Sequence, residues 1–236
     1  MENLKRKASM LGIELTQKQL DQFKTYYEML IEKNKVMNLT AITEWEEVID
    51  KHFIDSISLV KATDLSGDKR ILDLGCGAGF PGIPLKIAFP NLKITLLDSL
   101  NKRINFLKDV IAELGLEEVE ALHGRAEDYA RKPEYREQYD YCVSRAVANL
   151  TSLSEYCIPY VKEDGYFISY KSGKVKEEVK EVKKALFLLG GKLEDMVSFT
   201  LPETDMERDF VIIKKEKKTP KKYPRKAGIP TKEPLK

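Results

Sequence analysis

The sequence predicts an α/β protein: a mostly parallel seven-stranded sheet with its last strand antiparallel, preceded by an all-helical N-terminal region. Three observations carry this expectation. Beyond Lys69, short apolar runs alternate with amphipathic stretches; a glycine-rich turn follows the first run; and the residues before Lys69 show helical spacing alone. Regular alternation of strand and helix calls for right-handed crossovers, which cover both faces of a sheet.

A short helix is expected between Asn3 and Leu11. A longer one should run from Thr16, a fitting N-cap, to about Met37, because Leu20, Phe23, Tyr27, Leu30 and Ile31 mostly recur three or four apart. Asn38-Leu39-Thr40 interrupts it. Another helix is expected from about Glu44 to Ala62, with Val48, Ile49, Phe53, Ile57 and Val60 inward and Trp45 as an anchor. Strands are expected at Arg70–Leu74, Leu92–Asp98, Val119–Leu122, Tyr139–Ser144, Gly165–Tyr170, Leu193–Thr200 and Phe210–Lys214. Helices should lie near Gly82–Phe89, Lys102–Leu114, Asn149–Val161 and Val175–Leu189. The loop holding Pro202 is too short for a helical crossover, so the strands it joins should be antiparallel. The expected division is 1–65 helical region, 66–214 sheet domain and 215–236 basic tail.

The 236 residues, 42% hydrophobic and 33% charged, suffice for one sizeable core and exclude disorder throughout. No run approaches ~18 apolar residues, and Lys5, Arg6 and Lys7 precede only a short, interrupted apolar stretch, so a soluble cytoplasmic protein is expected. Cys76, Cys142 and Cys157 form no Cys-x-x-Cys pair and argue against disulfides or a metal site. The formal charge of +2 conceals an asymmetry. Lys214–Lys236 holds ten basic and two acidic residues, a local +8, on a body of −6. Such a tail suits a polyanion binder, and equally an ordinary solubilising terminus.

The first strand enters Gly75-Cys-Gly77-Ala-Gly79-Phe80-Pro-Gly82 and then a helix, an order that lets backbone approach a ligand at the carboxyl edge of the sheet. Gly77 to Gly82 satisfies GxGxxG, and Asp98, 21 residues beyond Gly77, could grip ribose hydroxyls in a dinucleotide or in S-adenosylmethionine. Two features favour the latter. Asp73, just before the turn, can help hold an amino-acid end and would repel a pyrophosphate, and the chain has no room for a dehydrogenase's second domain. A turn that merely packs tightly is the remaining alternative.

Asn38-Leu39-Thr40, His52-Phe53-x-Asp55-Ser56, Asp73-x-Gly75-x-Gly77-x-Gly79-Phe80-Pro-Gly-Ile-Pro-Leu85, Asp98-Ser99-x-x-Lys102-Arg103 and Ser144-Arg145-Ala146 together resemble the RsmG (GidB) family. The resemblance reaches the ending, Tyr223-Pro-Arg-Lys-x-Gly228-x-Pro230-x-Lys-x-Pro234-Leu235. It implies a Rossmann-like class I S-adenosylmethionine-dependent methyltransferase acting on N7 of a guanine in small-subunit (16S) ribosomal RNA. It implies that Gly75, Phe80, Asp98, Ser99, Ala126, Glu127 and Arg145 hold the cofactor, alongside Asp73, Gly77 and Gly79 of the turn. Ends of successive parallel strands line one crevice, which agrees with those positions.

Guanine N7 already has a lone pair, so no general base is needed and the enzyme's task is alignment. Nothing resembles the Asn/Asp-Pro-Pro-Tyr segment of amine methylation or the Pro-Cys nucleophile of cytosine chemistry. Arg145, Asn38 and His52 are the candidates nearest the reacting base, with Lys102, Arg103, Lys171, Arg208, Arg225 and Lys226 as RNA contacts. Several have a plainer structural explanation: Asn38 as a helix C-cap, His52 as packing, Lys102 and Arg103 as ordinary first-turn helix residues, and Arg208 as a partner of a strand neighbour. His123 and the charged stretch Lys174–Lys184 are expected to be solvated. The expected partner is small-subunit ribosomal RNA or its particle, with no membrane, no metal and a monomeric enzyme. Competing expectations are a methyltransferase of a small molecule or protein and a non-catalytic RNA-binding assembly factor. Deleting Thr219–Lys236 is expected to weaken RNA binding while sparing the cofactor.

Overall fold

A computed structural model describes every residue except Val147, Lys174 and Lys236. The expected start of the charged helix at Lys174 therefore lies outside the described residues.

Helix α1 (Glu2–Met10) and α2 (Gln17–Met37) open the chain. Thr16 closes a capping box with Gln19, and α2 buries Leu20, Phe23, Tyr26 and Leu30 along one stripe. The Gln19 amide then donates to the carbonyls of Ile87 and Ala88. Asn38, in the left-handed region at φ 49°, ends α2.

The expected helix from Glu44 to Ala62 is present with an irregular middle: α3 (Trp45–Val48), a wide π-helical turn at Ile49–Ile54, α4 (Asp55–Ile57) and a tight turn at Ser58–Lys61. A π turn offsets carbonyls from the ordinary helical ladder.

The sheet then begins: β1 (Arg70–Leu74), α5 (Gly82–Ala88), β2 (Lys93–Asp98), α6 (Asn101–Glu113), β3 (Val119–His123) and α7 (Ala126–Tyr129). It continues with β4 (Tyr139–Ser144), α8 (Leu150–Cys157), β5 (Val161–Lys171), α9 (Val175–Glu181), α10 (Lys183–Leu189), β6 (Gly191–Thr200), β7 (Glu207–Lys215) and α11 (Ile229–Lys232). Among the described residues the seven strands run in the order β3-β2-β1-β4-β5-β7-β6. The first five pair in parallel; β7 is antiparallel to both β5 and β6, between which it lies. Strand order reverses between β1 and β4, and the crevice opens there.

Alternation along β1 sends Ile71 into one core and Leu72 and Leu74 into the other. The first core also holds Phe23, Phe53, Ile83 and Leu107, so the helices of residues 1–65 share one apolar interior with the sheet. The second core packs Leu153, Val182, Leu186 and Tyr223 on the opposite face. Tyr223 belongs to the expected basic tail, whose first half is fastened by Arg136 donating to the carbonyls of Thr219 and Tyr223. Among the described residues no helix is long and apolar enough to cross a membrane.

Candidate active site

The turn after β1 is shaped by close approach. Gly79 has φ 109°, and a Cβ there would lie 2.8 Å from Ile83, Leu107 and the Tyr26 hydroxyl. Tyr26 donates to the Ala78 carbonyl at 2.6 Å, tying α2 to the turn. Gly75 also has a positive φ, 75°, and faces a cleft of about 520 Å³. Asp98, Ser99, Ala126 and Glu127, all expected around the cofactor, line the same cleft.

The donor set fits S-adenosylmethionine. Asp98 accepts from the Gly77 and Leu100 amides at 2.9 Å, with Arg103 at 3.4 Å. A carboxylate accepts about four hydrogen bonds, so Asp98 keeps capacity for one ribose hydroxyl. Asp73 is fully buried; Oδ2 accepts from the Gly82 amide at 2.8 Å, whereas Oδ1 has no partner. Burial raises its pKa to about 7, opposed by the Gly82 hydrogen bond and by the charge of Arg145. Asp73 lies behind the cleft lining rather than in it; an ammonium group that reached Oδ1 would satisfy the orphaned oxygen and favour the ionised form.

On the other side of Ala146 and Ala148, which line both spaces, lies a second pocket of about 520 Å³. Its floor is an ionic triad around the buried Asp55, whose carboxylate forms an ion pair with Arg145 at 3.0 Å and accepts from Arg208 Nε at 2.8 Å. Arg145 also donates to Ser56 Oγ at 2.9 Å and to the carbonyls of Lys51 and His52, at 2.9 and 3.3 Å. The wide π turn presents those carbonyls. Lys171 enters the same pocket and is held by Glu178 and the Ala148 carbonyl, both at 2.8 Å. With three cations to two carboxylates, the pocket keeps a positive excess.

The other expected residues are placed differently. His52 stacks on Phe80 at 4.3 Å, and its Nε2 meets Thr40 Oγ1 at 2.9 Å. Burial, then the charge of Arg145, lowers its pKa to about 4, so it is a neutral packing and hydrogen-bonding group at neutral pH. The Phe80 ring lies among His52, Tyr26 and Phe53, outside the cleft lining, with the Arg145 guanidinium 5.8 Å from its centre. Asn38 is an exposed cap. Lys102 is exposed in the first turn of α6, and Lys226 is exposed near the chain's end. Arg225, expected on RNA, is instead bidentate on the buried Glu155, because a buried carboxylate needs a fixed countercharge. Arg208 pairs with Asp55 of a helix rather than with a strand neighbour. Trp45 packs edge-on to Tyr27 as an anchor, and His123 is exposed.

Asp55 was not singled out by sequence reasoning, although His52-Phe-x-Asp55-Ser56 held a signal: positions three and four apart share a helix face. Gly228, also in the cleft lining, stood in the C-terminal pattern of the resemblance, whereas Thr231 beside it carried no signal.

A family model described as rRNA small subunit methyltransferase G matches residues 19–209. The chain belongs to this family. The "Ribosomal RNA small subunit methyltransferase G" of Lachnoclostridium phytofermentans is 60% identical over 225 residues, covering 95% of this chain and 93% of the relative. The protein of that name from Clostridium botulinum (strain Loch Maree / Type A3) is 53% identical, covering 96% and 95%. A solved structure titled as a SAM dependent methyltransferase from Aquifex aeolicus superposes with a TM-score of 0.51 at 20% identity, covering 72% of this chain and 93% of that one. The fold is that of class I S-adenosylmethionine-dependent methyltransferases, with the antiparallel β7 inserted before β6. As a member of the rRNA small subunit methyltransferase G family, the protein is an S-adenosylmethionine-dependent methyltransferase. Among the described residues no group of three or more His, Cys, Asp or Glu side chains is placed to hold a metal ion.

Proposed function

We propose that this protein methylates N7 of a guanine in 16S ribosomal RNA, acting as a cytoplasmic monomer on the RNA or on a ribosomal particle. The observation that carries the reading is the junction of two chambers. The cleft fitted to the cofactor and the cationic pocket of Arg145, Arg208 and Lys171 adjoin, with the small residues Ala146 and Ala148 lining both.

S-adenosylmethionine supplies a methyl group activated by its sulfonium. The chain's own residues align the acceptor with it, and alignment alone is worth about 7–11 kcal/mol of barrier. Guanine offers O6 and N7 as acceptors. An arginine donating to O6 fixes the base while leaving the N7 lone pair free for the methyl group. Asp55 holds Arg145 and Arg208 in place, and the residual positive charge favours the phosphates of an RNA strand. Neutral His52 buttresses Phe80 behind Arg145, consistent with a reaction that removes no proton. Asp73, Asp98, Ser99, Ala126 and Glu127 hold the cofactor, while Lys102 and Arg103 extend the cationic rim along α6.

Transfer of labelled methyl groups to unmodified 16S RNA and to small-subunit particles tests this. Label should appear in the RNA, at a guanosine that becomes sensitive to reductive strand cleavage, and Arg145→Ala should lower kcat far more than KM for S-adenosylmethionine. Label in protein or small molecules alone, or none in any assembly intermediate, would overturn it.

A further inference from the structure

The cationic C-terminal segment bears on the cofactor cleft rather than extending away from the fold. Arg225 is held three ways by Glu155, a carboxylate with no exposed surface: its Nε and Nη2 reach both oxygens, and its backbone amide donates to Oε1 at 2.8 Å. The same guanidinium donates to the Glu233 carbonyl at 2.7 Å, so it fastens both ends of residues 225–233. Between these ends the chain touches the cleft repeatedly. Gly228, at φ 81°, donates its amide to Glu127 Oε1 at 3.1 Å. Ser152 donates to the Pro230 carbonyl at 2.8 Å, and Tyr156 shares a hydrogen bond with Thr231 Oγ1 at 2.8 Å. Gly228, Thr231 and Tyr156 lie in the lining with Asp98 and Glu127.

We infer that residues 225–231 form a wall of the S-adenosylmethionine site at its Glu127 end, with Gly228 and Thr231 as cofactor-contacting residues and Arg225 as the positioning residue that holds them there. This rests on the reading of the cleft as the cofactor site. A free RNA-binding arm would leave its arginine exposed and its backbone unpaired. Here Glu127 is positioned by the segment, so cofactor affinity depends on a part of the chain distant in sequence from the glycine turn.

Calorimetric titration of S-adenosylhomocysteine into the full-length protein, Thr231→Trp, Arg225→Met and a chain ending at Pro224 decides the matter, with thermal unfolding and affinity for a 16S RNA fragment measured alongside. Thr231 is exposed, so tryptophan there narrows the cleft without entering a core. It should weaken S-adenosylhomocysteine by about tenfold or more, raise KM for S-adenosylmethionine while leaving kcat at saturation, and leave Tm and RNA affinity as they were. Arg225→Met and the truncation should weaken it at least as much. Affinities within about twofold of the wild type in all three variants, or a loss confined to RNA binding, would overturn the inference while leaving the cofactor reading intact. No binding by the wild-type chain would overturn both.

Discussion

Two clusters of cations border the crevice, and they differ in how much charge they leave unmatched. Beneath the acceptor pocket Arg145 and Arg208 share the single carboxylate of Asp55, so one positive charge is left over. On the C-terminal side Arg225 is matched one to one by Glu155. The first arrangement can attract an anion; the second fastens a segment. The sequence places more cations in the second region than in the first, but its arginine is committed to Glu155, while lysines such as Lys218 and Lys226 stay exposed. Partners in space, rather than density along the sequence, determine what is available to RNA.

The largest expected effect comes from removing the shared acid. Asp55→Ala leaves two arginines partly buried without a countercharge, and urea unfolding should register a loss of about 3–5 kcal/mol. Arg208→Met leaves the Arg145 pair intact and should cost far less stability while weakening RNA binding. Equal losses in the two variants would break the comparison.

Asp73 sharpens it as a third buried acid, with one oxygen on a backbone amide and the other unpartnered. Its folded pKa, about 7 against an ordinary 3.8, means the folded chain holds the proton more tightly. The stabilisation it brings is therefore full below the ordinary value and lost as pH rises through 7. Cofactor binding should run the opposite way, because an ammonium group favours the ionised form. Affinity for S-adenosylhomocysteine should climb by up to about tenfold per pH unit below 7 and flatten above it. Asp73→Asn should abolish the slope, and calorimetry in buffers of different ionisation enthalpy reads the released proton.

The smallest effect belongs to the exposed lysines of the C-terminal segment. Replacing Lys217, Lys218, Lys221 and Lys222 with glutamine should change stability by less than about 0.5 kcal/mol. Each that touches single-stranded RNA should lower the salt dependence of binding by about 0.7 in the logarithmic slope.

Much of the fold was legible because one property decides each element. The bounds of β1 and β4 follow from apolar runs that end at polar or glycine residues, and the start of α2 follows from Thr16 and Gln19. The glycine turn located the cleft because only glycine tolerates the approach at Gly79. Other features depend on distant partners. β5 starts at Val161, four residues before the apolar run, because Lys162–Asp164 join the strand while facing solvent. The π turn at Ile49–Ile54 leaves no mark on helical periodicity, although it supplies the carbonyls that orient Arg145. Glu155 reads as an ordinary polar helix residue until Arg225, 70 positions later, is folded against it.

The shared interior of the N-terminal helices and the sheet has an optical consequence. Trp45 is the lone indole of the chain, 4.7 Å from the Tyr27 ring and 6.2 Å from Phe53, which in turn neighbours Phe80 at 6.4 Å. Its fluorescence is thus a native, label-free probe at the end of an aromatic relay that starts beside the glycine turn.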